Sequence, residues 1–195
     1  LDGTEEKRDW QGGKLGYGDV TVSTTIPMFR KIRFHSRDSL GFEDLELPPQ
    51  TLETVAFWFT PPEDLVEGMK ADGMVMGEAL IGIANVVVEV APLFVMCDVQ
   101  DIGAVVDVKN LGRDALFVHD RHPGGMGYAN RCMEQFEAMM QTARDVIRDC
   151  ACEDGCPSCV GAATPAYAMT DLDSGVRGRI PDKKAAAFLL ERLLG

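Results

Sequence analysis

Apolar and polar residues alternate along the first third of the chain, as they do in half-buried strands. The alternation runs from Val20 to Ile26 and resumes after Pro27 from Phe29 to His35. This period of two predicts two strands, which we expect to pair antiparallel. The stretch from Leu52 to Thr60, rich in aromatic and β-branched residues, predicts the strongest strand of the chain.

The spacing of apolar residues changes to three and four from Gly77 to Ala91, which predicts a buried helix. A compact apolar strand follows at Ala115 to Val118, and a glycine turn leads from it into a long amphipathic helix that ends at Cys150. A last helix is predicted after Pro181. The expected class is α/β in the mixed α+β sense. Its expected parts, in chain order, are N-terminal antiparallel strands, a central buried helix, a strand–turn–long-helix unit, a four-cysteine knuckle and a C-terminal helix.

These elements suggest one domain behind a short leader. Residues 1–18 are rich in glycine and charge without apolar periodicity, so we expect a linker or the end of a fragment there. Residues 19–195 are expected to form a single domain. Its predicted parts are a β-rich part (19–62), an α/β core (63–149), a four-cysteine site (150–160) and a helical tail (161–195).

Composition narrows the class of protein. The 195 residues are 46% hydrophobic and 26% charged, as in ordinary globular domains. No apolar run reaches the roughly 18–20 uncharged residues of a membrane helix, so no membrane partner is expected. The first residue is Leu1, and no signal-peptide pattern follows it. We therefore expect a fragment of a longer, cytoplasmic protein.

The net charge of −12 repels the phosphate backbone of nucleic acids, so contact with DNA would need a local basic patch. Strand alternation would place Lys31, Arg33 and Arg37 on one face of the second predicted strand, with Ile32 and Phe34 toward the core. Two interpretations stay open for the basic residues. They are either a nucleic-acid contact or simply the solvated face of a strand.

Four of the six cysteines fall within ten residues, in the spacing C-x-C-x3-C-x2-C. This density favours a metal site over disulfides. Four thiolates bind Zn²⁺ tetrahedrally at about 2.3 Å and leave no position for water, so the site is expected to hold one structural zinc ion. An iron–sulfur cluster uses the same ligands and remains the alternative. The predicted ligands are Cys150, Cys152, Cys156 and Cys159.

Gly124, Gly125 and Gly127 lie between the strand and the long helix, where backbone amides and the helix dipole could hold an anion. No GK[ST] follows them and the third glycine of a dinucleotide motif is missing, so a purely structural turn is the alternative. His119 and Asp120, just before the turn, could serve as the acid/base pair of a phosphodiesterase or nuclease. A structural, hydrogen-bonded role is the other interpretation of this pair.

The order of these motifs resembles one family. Leu116 to Asp120, then Pro123 to Tyr128, a long helix and the motif CACEDGCPSC are similar to the zinc-binding C-terminal domain of MrfA-type superfamily 2 helicases. The resemblance covers roughly Val20 to Val160. It implies a DNA-repair protein in which the domain follows a DEAD/DEAH-type ATPase motor on the same polypeptide or a helicase subunit.

Further expectations follow from the resemblance. The four cysteines would hold the zinc, and DNA would be reached through the parent protein. Neither a Walker A motif nor a DEAD/DEAH box occurs in these residues, so the fragment alone is not expected to hydrolyse ATP. Related domains also occur in phage-defence complexes, where the domain would serve assembly.

Overall fold

The computed structural model describes residues 1–162 and 180–195. Five α-helices, two single-turn 3-10 helices and seven strands are formed in these residues. The strands are β1 (Glu6–Trp10), β2 (Gly13–Thr24), β3 (Met28–Ile32), β4 (Ser39–Asp44), β5 (Gln50–Thr60), β6 (Ile102–Asp107) and β7 (Ala115–Asp120). The helices are α1 (Glu63–Ala71), α2 (Met76–Val90), α3 (Tyr128–Glu134), α4 (Phe136–Asp149) and α5 (Lys183–Leu194). The mixed α+β class is confirmed.

Five strands form one sheet in the order β1-β2-β5-β7-β6, and every neighbouring pair is antiparallel. The strand predicted from Leu52 to Thr60 is β5, at the centre of the sheet. Its alternating side chains are buried on both faces, with Phe57 and Phe59 toward the helices and Trp58 on the opposite side. Burial on both faces explains its continuous run of large apolar residues.

Helices α2 and α3 pack on one face of the sheet, and α4 and α5 pack against α2 in the same main core. Helix α2 is buried along most of its length, as its spacing predicted. Helix α5 begins where the Asp182 carboxylate accepts hydrogen bonds from the amides of Lys184 and Ala185. The part of the predicted tail at 163–179 lies outside the described residues.

The long helix predicted before Cys150 is two helices in the structure. Gln135 separates α3 from α4, with φ −96° and ψ 11°. Phe136 follows the break and is buried against Trp10 and Phe57. The apolar spacing continues across the break, which is why the pattern alone did not reveal it.

One segment has the length and composition of a membrane-crossing helix, although Glu78 and Glu89 interrupt its apolar residues. It is Met76–Leu93, with a mean hydropathy of 1.5. Burial inside the fold covers 72% of this segment, as in the core helix of a globular domain. It is the only such segment among the described residues.

The prediction of a linker at residues 1–18 is wrong, because they contain β1 and the first half of β2. The Trp10 ring packs edge-on against Phe59 and Phe136, with centroids 5.4 and 4.9 Å apart. Arg8 Nη2 donates a hydrogen bond to the carbonyl oxygen of Met133 at 2.8 Å. Residues 1–18 are therefore part of the fold.

The first half of β2 is difficult to predict because glycines interrupt its alternation of apolar and polar residues. A Cβ atom at Gly16 would lie 2.5 Å from the Trp58 ring, and one at Gly18 would lie 2.2 Å from the carbonyl oxygen of Gly3. Glycine is required at these positions by close approach and does not mark a flexible leader.

The predicted pairing of the first two strands is also wrong. Strand β2 pairs with β1 and β5, whereas β3 pairs with β4 in a separate two-stranded hairpin. Strand β3 ends at Ile32, so Arg33 and Arg37 lie in the following turn and not on a strand face. Ile32 and Phe34, expected in the core, are 52% and 89% exposed, because no helix or sheet among the described residues packs over the hairpin.

Replacing Trp10 by alanine tests whether the N-terminal strand contributes to stability. We expect Trp10→Ala to lower the free energy of unfolding by about 3 kcal/mol, because it removes a large ring from an aromatic cluster. Trp10→Phe keeps an aromatic ring and should cost much less. Urea unfolding of the metal-loaded chain measures both, and an unchanged Trp10→Ala midpoint would restore the linker interpretation.

Candidate metal centre

Four sulfur atoms converge at the C-terminal end of α4. The Sγ atoms of Cys150 and Cys152 are 3.6 Å apart, as are those of Cys150 and Cys156. The Cys152–Cys159 and Cys156–Cys159 separations are 3.4 and 3.7 Å. All four atoms lie within 4.8 Å of one another, and all four cysteines are free thiols, so no disulfide occurs among them.

These separations match the geometry of a single tetrahedral ion. Four sulfurs each about 2.3 Å from one zinc ion stand about 3.8 Å from each other. The observed values lie within a few tenths of an ångström of that distance. The donor set and its spacing therefore fit Zn²⁺, and four thiolates would complete its shell.

The backbone between the cysteines is shaped to bring the sulfurs together. Gly155 has φ +111°, and a Cβ atom there would lie 2.9 Å from Val160 Cγ2. The amides of Cys159 and Val160 both donate to the carbonyl oxygen of Cys156 at 3.1 Å. A tight turn thus places Cys156 and Cys159 on one side of the cluster.

Two residues that the sequence analysis did not single out tie the loop to other helices. Lys183 Nζ, at the start of α5, donates to the carbonyl oxygens of Cys150 and Cys152 at 2.7 and 2.6 Å. Asn85 Nδ2, on α2, donates to the carbonyl oxygen of Val160 at 2.8 Å. Both residues are far in sequence from the cysteines, so no local pattern in the sequence could link them to the metal site. Through these contacts the cysteine loop connects α2, α4 and α5.

The thiols differ in proton affinity because their surroundings differ. A hydrogen bond from the Ser158 amide, with further hydrogen bonds from the neighbouring cysteines, lowers the pKa of the Cys156 thiol to about 7. Burial raises the pKa of Cys159 to about 12. Metal ligation requires thiolates, so binding at Cys159 must displace a tightly held proton, and metal affinity will fall with decreasing pH.

The glycine turn is occupied by a side chain of the protein itself. Asp120 is fully buried, and its carboxylate accepts hydrogen bonds from the amides of Met126, Tyr128 (3.2 Å) and Ala129 (2.7 Å). This carboxylate sits at the N-terminus of α3, where negative charge is favoured.

The predicted anion site at Gly124, Gly125 and Gly127 is therefore corrected. The amides of Gly124 and Gly125 donate to the carbonyl oxygens of Glu53 and His122. The amides just beyond them are directed at Asp120. The anion that this turn holds is internal.

The His119 side chain is likewise buried and held by contacts within the fold. The ring is 7% exposed and packs over Gly103, where a Cβ atom would lie 2.5 Å from His119 Nε2. Its Nδ1 lies 3.1 Å from the main-chain oxygen of Asp120, and burial lowers its pKa. With the Asp120 carboxylate enclosed by amides, the pair lacks the open geometry of a nuclease acid and base.

Comparison with known proteins agrees with this geometry. The family model of the MrfA Zn-binding domain matches residues 83–160, which include all four cysteines. The ATP-dependent helicase YprA of Bacillus subtilis is 34% identical over 166 residues, which make up 83% of this chain and 21% of the helicase. A short protein of Methanocaldococcus jannaschii, MJ1572.1, is 27% identical over 113 residues, which cover 55% of this chain and 93% of that protein.

Two solved structures similar to this chain are also of an MrfA helicase. The crystal structure of the DUF1998 helicase MrfA bound to DNA aligns with 97% of this chain at 28% identity and a TM-score of 0.63. A second MrfA structure aligns with 82% at 30% identity and a TM-score of 0.55. The chain spans 24% and 21% of these helicase chains. The site is thus a zinc-binding one, and the chain contains the Zn-binding domain of MrfA-type helicases.

Substitution of Asp120 separates the structural from the catalytic interpretation. We expect Asp120→Ala to lower the free energy of unfolding by about 3 kcal/mol or more, because it leaves buried amide donors without a partner. Asp9→Ala, at an exposed ion pair, should change it by less than about 1 kcal/mol. Urea unfolding checks both. Full stability in Asp120→Ala would contradict the structural role.

Proposed function

We propose that this chain is a non-catalytic accessory domain of an ATP-dependent DNA helicase that acts in DNA repair. One structural zinc ion would join α2, α4 and α5 into a rigid unit that positions DNA or the motor domains. The observation that carries the proposal is the closed set of four sulfurs inside the region matched by the MrfA Zn-binding domain. A closed shell has no position for substrate or water, which is typical of structural sites.

A single ion is favoured over an iron–sulfur cluster by the size of the site. Separations of 3.4 to 3.7 Å between neighbouring sulfurs leave room for one ion at their centre. A cluster must also accommodate several irons and inorganic sulfides between its thiolates. Thiols kept reduced for the metal fit a cytoplasmic location, which belongs to the same proposal.

The proposed partner is a helicase motor. The chain spans about a fifth of YprA and about a quarter of DNA-bound MrfA, so most of each relative lies outside the aligned part. The archaeal relative, 93% of which is covered, indicates that a domain of this kind also occurs without a long motor on the same chain. The motor would accordingly be supplied by the same polypeptide or by a helicase subunit.

Removal of the metal tests the zinc proposal. Elemental analysis of the purified chain should give about one zinc per chain and no iron. Chelation should lower the thermal midpoint by about 10 °C or more, because a structural zinc contributes several kcal/mol to folding. Cys159→Ser should lose the metal, whereas Cys97→Ser, outside the cluster, should retain it. Iron with visible absorbance, or metal-free protein with an unchanged midpoint, would contradict the proposal.

DNA contact is proposed for the basic side chains of the β3–β4 hairpin. Lys31 pairs with Glu43 in the structure. The guanidinium groups of Arg33 and Arg37 make no ion pair within residues 1–162 and 180–195. Both are exposed, and the main chain of the turn that carries them is held by the hydrogen bond from the Arg37 amide to the Arg33 carbonyl oxygen. These cations are available to phosphates on a protein that is otherwise strongly acidic.

Charge reversal tests this contact. The triple variant Lys31→Glu, Arg33→Glu and Arg37→Glu should keep the thermal midpoint, because the hairpin packs on no core element. It should weaken DNA binding and reduce the slope of log affinity against log salt by about 2 to 3. The matched control is Lys7→Glu, Lys14→Glu and Lys70→Glu, all at exposed positions. If both triples weaken binding equally, the effect is one of net charge and the patch proposal fails.

A further inference from the structure

The β3–β4 hairpin, defined as residues 28–44, stands apart from the rest of the fold. It connects β2 and β5, which pair along their length as far as Thr24 and Gln50. Every residue from Phe29 to Asp44 is exposed. The hairpin thus extends beyond the end of a long two-stranded ribbon and contributes nothing to the core.

Large apolar side chains cover this hairpin, although nothing in the described chain shields them. Phe34 in the turn is 89% exposed, and Phe42 on β4 is 60% exposed. Ile32 and Leu40 are 52% and 57% exposed. A group of exposed apolar side chains in one place marks an interaction surface, because a monomer gains no stability from it.

The charges of the hairpin indicate the chemistry of the partner. The hairpin contains four basic and three acidic residues on a chain of net charge −12, and two of the acids, Glu43 and Asp44, lie at its far end. Arg30 lies directly opposite Phe42 in the strand register, so a cation and a ring share one face. Phe34 lies between Arg33 and His35, and its ring meets the His35 ring edge-on at 5.3 Å. The partner must therefore offer both anionic groups and flat apolar surfaces.

We propose that the hairpin binds single-stranded DNA, with bases stacked on Phe34 and Phe42 and phosphates held by Arg30, Arg33 and Arg37. This inference rests on the proposed helicase-associated function and specifies its ligand. Cations interleaved with exposed rings are the composition of surfaces that bind single strands. In a duplex the bases already stack on one another and offer no free face to Phe34, so the hairpin discriminates against double strands.

Binding of labelled oligonucleotides to the zinc-loaded 195-residue chain tests the proposal. Fluorescence anisotropy with a 20-nucleotide single strand and a blunt duplex of the same length should show tighter binding to the single strand. Phe34→Ala should weaken single-strand binding about tenfold and leave duplex binding nearly unchanged, because one base loses its stacking partner. Met96→Ala, at a residue that is 91% exposed outside the hairpin, is the matched control.

Two further variants separate stacking from general apolar contact. Phe34→Leu keeps an apolar side chain without a flat ring and should lose as much affinity as Phe34→Ala. Phe34→Trp should retain affinity, and its added tryptophan emission should be quenched by the single strand but not by the duplex. Full affinity in Phe34→Leu, or unquenched emission in Phe34→Trp, would overturn stacking on Phe34. An unsubstituted chain that binds no single strand would overturn DNA as the occupant and favour an acidic protein surface.

The outcomes also separate this proposal from the proposed function. A zinc-loaded chain that prefers duplex, or that binds no single strand, overturns the hairpin proposal and leaves the structural zinc domain standing. A chain without zinc that still shows the Phe34-dependent preference overturns the zinc proposal alone. Loss of both results would remove both proposals.

Discussion

The convergence of four cysteine sulfurs at the end of α4 is the constraint on which the C-terminal half of this protein depends. Four sulfurs lie within 4.8 Å of one another at the end of α4, and if they ionise, thiolates at that distance repel one another unless a cation lies between them. The loop that carries them has little apolar core of its own, but it is hydrogen-bonded to α2 through Asn85 and to α5 through Lys183. A cation bound at this point would therefore stabilise the packing of α2, α4 and α5 against one another.

A second internal charge organises the other end of the helical layer. Asp120 lies at the end of β7, and its carboxylate fixes the glycine turn and the start of α3. The arrangement resembles an anion-binding site because it is one, but the anion belongs to the chain. The two residues that most resembled an active site, His119 and Asp120, are thereby accounted for by hydrogen bonding and burial.

The cysteine loop and the β3–β4 hairpin belong to different parts of the fold. The cysteine loop is hydrogen-bonded to the helices, whereas the basic, aromatic hairpin extends beyond the Thr24–Gln50 end of the β2–β5 pair, and every residue from Phe29 to Asp44 is exposed. Because the hairpin contributes no core contacts, its surface can vary without cost to stability.

Local patterns in the sequence determined the central strand, the buried helix α2, the strand β7 and the four-cysteine motif, because each depends on spacing within a few residues. Tertiary structure decided what depends on distant partners. In the sequence, Gly16 and Gly18 indicated a flexible linker. In the structure they lie in a strand, where Trp58 and Gly3 approach too closely for any side chain. The alternation from Phe29 to His35 predicted a core face, yet alternation specifies two faces without specifying what covers either. Only the fold placed that hairpin in solvent, closed the glycine turn around Asp120 and brought Lys183 to the cysteine loop.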